Sequence, residues 1–188
     1  MNLRTLVASS AALVFGVAIV LMSLLSVSDP AKVYPSAPYV QVDYFLPYPG
    51  LLPDSPFYKL KALRDKIILT FTRQGAEKVE MYLNLADKRL GAVVALSEGN
   101  QLSLAVSTLT KAEKYLLQSV EETILLQKQG KDVKSLLLTL TKATRKHLEV
   151  ADSLILKTES QNRLTIEETK RLTLQLQERV TQAFRDSK

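Results

Sequence analysis

The chain has 188 residues, a formal net charge of +6, no cysteine, no tryptophan and a single histidine. These counts exclude disulfides, thiolate chemistry and any metal site built from several imidazoles. The basic excess lies in Lys59, Lys61, Arg64, Lys66 and Arg73 and in the last two predicted helices. No aromatic residues alternate with it, so no stacking platform for nucleic acid is visible.

The first predicted element is the uncharged run Leu6–Val27. It is long enough to cross a hydrocarbon core of about 30 Å. Arg4 and the amino terminus precede it and Asp29 follows, so the N-terminus is expected in the cytoplasm and the body outside. The run exceeds the usual signal-peptide core of about 7–15 residues, which favours an uncleaved anchor. The alternative is a signal peptide cleaved near Ser28, leaving a secreted body. Either way, residues 1–28 form an anchor or signal segment.

Residues 29–53 form a linker. Pro30, Pro35, Pro38, Pro47, Pro49 and Pro53 block helix and ladder formation and favour extended chain. Tyr34, Tyr39, Tyr44 and Tyr48 lie among them. The expected role is a semi-rigid spacer, with tyrosines docked on the body or at the lipid–water boundary. A partner-binding strip is the remaining reading.

Residues 54–188 predict an all-α bundle. A first, shorter helix starts at Ser55, with Asp54 and Ser55 as cap acceptors and Pro56 at the first helical position. Leu60, Leu63, Ile67 and Phe71 make its apolar stripe, and Gln74–Gly75 ends it. The second helix, 76–98, carries the stripe Val79, Leu83, Ala86, Leu90 and Val93, with Gly99 as a left-handed stop and Asn100 as the next cap. The third, 101–128, repeats the pattern from Leu102 and Ala105 to Val120 and Ile124. The fourth, 132–158, aligns Val133, Leu136, Leu140, Ala143, His147, Ala151 and Leu154. The fifth opens on a Thr165/Glu168 capping box and continues through Thr169, Leu172, Leu176, Val180 and Ala183 or Phe184. Short connections predict an up-and-down arrangement of the four long helices, with the first packed on it. Leu104, Leu126, Leu138, Leu156 and Leu174 fall off these stripes, so they either widen the core or mark a self-association face.

The string Leu52-Pro53-Asp54-Ser55-Pro56-Phe57-Tyr58-Lys59-Leu60-Lys61 carries the pattern Leu-Pro-Asp-Ser-Pro-x-Tyr-x-Leu-Lys, and Ala86-Asp87-Lys88-Arg89-Leu90 follows it. Together they resemble an uncharacterised bacterial family of extracytoplasmic helical domains of unknown function. The first motif is the more specific; Arg73-Gln74-Gly75-Ala76 departs from the family's usual turn. The resemblance implies a helical domain behind a membrane segment, and no catalytic residues come with it.

The chemistry-bearing residues are sparse. His147 has no second His or Cys to complete a metal site, and no Glu-x-x-His pair. It is expected to be partly buried and to make one hydrogen bond. Glu113 with Lys114, and Asp65 with Lys66, read as exposed pairs of about 0–1 kcal/mol. No phosphate loop, nucleophile elbow or zinc-protease helix occurs. No catalytic residue, metal site or cofactor is therefore expected. The favoured expectation is a non-enzymatic, membrane-anchored bundle that meets an envelope protein or anionic lipid, not nucleic acid. Its candidate contact residues are Tyr44, Tyr48, Tyr58, Lys59, Lys61 and Arg64. The alternative is a ligand-binding, sensor-type bundle working with a separate signalling protein.

Overall fold

A computed structural model describes residues 42–187. The anchor or signal segment and the first part of the linker lie outside the described residues. The rest is all-α: α1 Tyr58–Phe71, α2 Ala76–Glu98, α3 Leu102–Lys128, α4 Lys134–Lys157 and α5 Ser160–Asp186. No described helix is long and apolar enough to cross a membrane.

The four long helices alternate in direction. Ser119 Oγ on α3 donates to the Val79 carbonyl on α2, while Asn162 on α5 meets Ser103 at the start of α3 and Gln127 meets the Ala183 carbonyl at their other ends. Hence α3 and α5 run parallel, and each is antiparallel to the helix before it. α3 and α4 each pack on the other three long helices, whereas α2 and α5 stand at opposite corners without touching. Among the described helices, α1 packs on α2 alone.

Burial of the predicted stripes explains the assembly. Val79, Leu83, Ala86, Leu116, Val120, Leu137, Leu140, Ala143, Leu176 and Val180 join in one apolar cluster. Leu90, Val93, Leu96, Ala105, Leu109, Val150, Ala151, Leu154 and Ile166 join in a second. Each fully buried leucine or isoleucine contributes roughly 1.5–3 kcal/mol relative to leaving it in water. Between the clusters lies a layer of polar side chains, to which all four long helices contribute. Of the leucines off the stripes, Leu126 joins the first cluster, while Leu138, Leu156 and Leu174 are exposed.

Residues 42–57 form a strap over α2 and α4. The Val42 N–H donates to Glu149 Oε2 at 3.0 Å, and Leu46 packs on the second cluster. A Cβ at Gly91 would stand 3.3 Å from the Pro47 carbonyl oxygen, so glycine lets the strap lie close to α2. At the far end, Gln101 Nε2 donates to Asp54 at 2.9 Å.

Several expected boundaries shift. α1 begins at Tyr58 after Phe57, and no side chain caps it; Ser55 and Pro56 lie in the preceding turn. α5 starts at Ser160, so Thr165 is interior and the capping box does not form; the Thr165 carbonyl instead accepts from the Thr169 hydroxyl. At the α2–α3 corner Asn100, not Gly99, takes the left-handed conformation, with φ 57°. Gly75 does adopt positive φ where the first helix is predicted to end, and Gly130 does so just past the end of α3.

The largest departure concerns α1. Its predicted stripe faces outward: Leu60 is 52% exposed, Leu63 55%, Ile67 47% and Phe71 82%. Its buried residue is Asp65. The helix turns its polar side to the bundle and its oily side away.

Candidate functional site

The polar layer is built from residues that hold core positions in their helices. Asp87 stands between Leu83 and Leu90, Glu113 between Leu109 and Leu116, His147 between Ala143 and Ala151, and Thr173 between Thr169 and Leu176. Helical periodicity therefore points all four inward. His147 is fully buried, Glu113 is 1% exposed and Asp87 5%. This corrects two expectations: His147 is neither partly buried nor singly bonded, and Glu113 is not part of an exposed pair.

His147 Nδ1 donates to Glu113 Oε1 at 2.6 Å, and its Nε2 faces Asp87 Oδ1 at 3.4 Å. The Thr173 hydroxyl donates to Glu113 Oε2 at 2.8 Å. Tyr44, from the strap, donates its phenol proton to Asp87 Oδ2 at 2.5 Å. Burial works against a charged imidazole, but the Glu113 carboxylate and the hydrogen bonds to both carboxylates overcome it and push His147 up to about 9. Burial and the Asp87 charge raise the Tyr44 phenol further above its ordinary range, so it stays a donor. The chain of contacts, Tyr44–Asp87–His147–Glu113–Thr173, ties four helices and the strap together.

Chemically the layer is closed. An imidazolium that donates through both nitrogens has no lone pair with which to accept a proton or ligate a metal. Among the described residues no hydroxyl bonds to the ring; Thr173 binds Glu113 and also the Thr169 carbonyl. The arrangement reads as a buried fastening, not as a reactive centre.

A second feature lies where the strap meets α1. Lys61 Nζ donates to the carbonyls of Pro49 and, at 3.1 Å, Leu51. Burial pushes its ammonium down to about 8; Asp65 opposes that shift, while Arg89, Lys88 and Arg64 reinforce it. Arg64 pairs with Asp65 at 2.9 Å, which replaces the expected Asp65–Lys66 pair. On α2, Arg89 lies over the Tyr115 ring of α3, 4.3 Å from its centroid.

The six candidate contact residues thus divide. Tyr44 is half-buried in the fastening, Lys61 is half-buried as the strap tie, and Tyr58 lies beside it with its ring 5.8 Å from Lys61 Nζ. Tyr48, Lys59 and Arg64 are exposed. The structure does not bring the six into one patch. Asp87, Glu113 and Thr173 were not marked as site residues by sequence; their placement in the apolar register was the available signal.

Residues 50–183 match the family model of a domain of unknown function, DUF5667, and the chain belongs to that family. No curated protein and no solved structure matches it.

Proposed function

We propose that this DUF5667 member is a non-enzymatic helical bundle, held at a membrane by Leu6–Val27 and working on the extracytoplasmic side, where α1 is presented to a partner in the cell envelope. The observation that carries this reading is the inverted packing of α1. Every long helix buries its stripe, whereas α1 buries Asp65 and exposes Leu60, Leu63, Ile67 and Phe71. Exposed contiguous apolar surface of this kind marks interaction sites. The sealed polar layer supports a structural role for the titratable residues. The charge bias around Leu6–Val27 supports the orientation, since the basic flank precedes it and Asp29 follows.

The absence of cysteine makes the topology simple to test. Gln175 is exposed on α5, so Gln175→Cys introduces a unique thiol. A membrane-impermeant maleimide added to intact cells is expected to label it. Labelling only after the cells are lysed would place the body in the cytoplasm and reject the proposal.

A further inference from the structure

The outward stripe of α1 has one occupant that its chemistry fits. From Phe57 to Arg73 the sequence carries the bases Lys59, Lys61, Arg64, Lys66 and Arg73 against the single acid Asp65, which Arg64 neutralises. At 100° per residue, Lys59 and Lys66 line up along one edge of the stripe, Arg73 follows just past the helix end, and all three are exposed. The helix thus presents three sides: a bundle side with Lys61 and Asp65, an apolar side, and a basic edge between them. Apolar side chains flanked by lysine and arginine are the pattern of a helix lying in the plane of a bilayer surface.

Chain position agrees. Residues 28–41 separate the apolar run from Val42, the first of the described residues, which is fastened to the bundle. Even fully extended they reach at most about 50 Å. That span is comparable to the length of the bundle itself, about 40 Å, so α1 of an anchored body lies within reach of the bilayer surface. A second copy of the chain fits less well. One face of a helix this short supplies only part of the about 800 Å² per partner that a stable interface buries. Two such faces would also bring their basic edges together.

We infer that α1 is an interfacial helix that docks on an anionic bilayer, with Leu60, Leu63, Ile67 and Phe71 at the acyl–headgroup boundary and Lys59, Lys66 and Arg73 at lipid phosphates. This deepens the proposed function and rests on its membrane anchorage. Docking would hold the bundle flat against its own membrane instead of letting it swing on the linker.

The test uses the full chain carrying Ile67→Cys or, as a control, Gln175→Cys, each labelled with an environment-sensitive fluorophore. Gln175 suits as control because α5 stands across the bundle from α2, on which α1 packs. The protein is reconstituted in vesicles of phosphatidylcholine alone, or of equal parts phosphatidylcholine and phosphatidylglycerol. Lipids brominated near the headgroup report contact by quenching. The label at position 67 should be quenched several-fold more than that at 175 in the anionic vesicles, and less in the neutral ones. Each of Lys59→Glu, Lys66→Glu and Arg73→Glu should weaken docking about fivefold or more. Equal quenching at 67 and 175, with the chain still retained by the vesicles after an alkaline wash, would overturn the docking inference alone. Loss of the chain in that wash would overturn the anchorage as well. Energy transfer between differently labelled copies at position 67, without lipid quenching, would replace the bilayer by a second copy and also reject the inference.

Discussion

Glu113→Gln removes one negative charge from the buried layer while keeping its shape. The new amide oxygen can accept from His147 Nδ1, now 2.6 Å from Glu113 Oε1. The amide nitrogen can donate to Thr173 Oγ1, whose own proton turns to the Thr169 carbonyl at 3.1 Å. The hydrogen bonds survive, so the loss is electrostatic. In the folded chain His147 is pushed from an ordinary 6.5 up to about 9. That preference for the protonated form is worth about 3 kcal/mol, at about 1.4 kcal/mol per tenfold. Glu113 supplies the larger favourable charge interaction, so the variant should lose about 2 kcal/mol near neutrality. For a chain of this size that lowers Tm by roughly 4–8 °C. The sign with pH follows from the direction of the shift. A histidine whose folded value is raised gives its full stabilisation below 6.5 and loses it as pH rises through about 9. The gap between wild type and variant should therefore be widest on the acid side and close above 9. Asp87, which faces the same ring, and Tyr44, which bonds Asp87, are unchanged in both proteins. The assay is thermal unfolding of the full chain in mild detergent, followed by circular dichroism across this window. Because His147 is the only histidine, its imidazole resonances give the titration directly. A Tm difference independent of pH, or a wild-type imidazole titrating at or below 6.5, would refute the reasoning.

Three further outcomes are expected. Tyr44→Phe deletes the phenol–Asp87 bond and should loosen the strap by about 1–2 kcal/mol, read as faster amide exchange at residues 42–50; α2 to α5 should keep their protection. Gly91→Leu places a side chain where a Cβ alone would already come within 3.3 Å of the Pro47 carbonyl oxygen, so limited proteolysis should cut the strap while helix content is retained. Leu109→Ala, at a fully buried site, should cost about 2–5 kcal/mol, whereas Ile67→Ser on α1 should change global stability by no more than about 0.5 kcal/mol; comparable losses for the two in chemical denaturation would mean that α1 packs its stripe inward after all.

The long helices were readable because their apolar positions recur at three- and four-residue steps without interruption by proline. Nearly all of the residues so marked, from Val79 to Val180, are buried. Helix ends were less legible. Thr165 and Glu168 have the spacing of a capping box, yet Ser160–Leu164 continue the helix upstream, because a cap signature cannot say whether the preceding turn is already helical. The polar layer was hidden for another reason. Glu113 next to Lys114 looks like surface, and only its partners His147 and Thr173 on two other helices offset the cost of its burial. Asp87, Glu113, His147 and Thr173 come together from positions spread over 86 residues of sequence, and periodicity carries no information across helices. α1 misled most, since an apolar stripe tells where oil lies on a helix but not what covers it.

The outward turn of α1 follows from the layer by a chain of polar contacts. Asp87 accepts from the Tyr44 hydroxyl while it faces His147, so the strap is registered to the centre of the bundle. From that fixed point the strap brings the Pro49 and Leu51 carbonyls over the start of α1, where Lys61 caps them. Lys61 and Asp65 are one helical turn apart and share a side, so fixing the first directs the second inward as well. Rolling α1 by half a turn would bury Leu63 and Ile67, gaining up to about 1.5–3 kcal/mol for each. The same roll would strip both strap carbonyls of their donor and would carry Lys61 away from them, at about 1–3 kcal/mol for each group left unpaired. The terms are of similar size, which is why the polar ties can hold the helix in an orientation that hydrophobic burial alone would not select. A stripe kept outward against its own tendency to bury is a surface held ready, and the fastening that keeps it there sits in the middle of the fold.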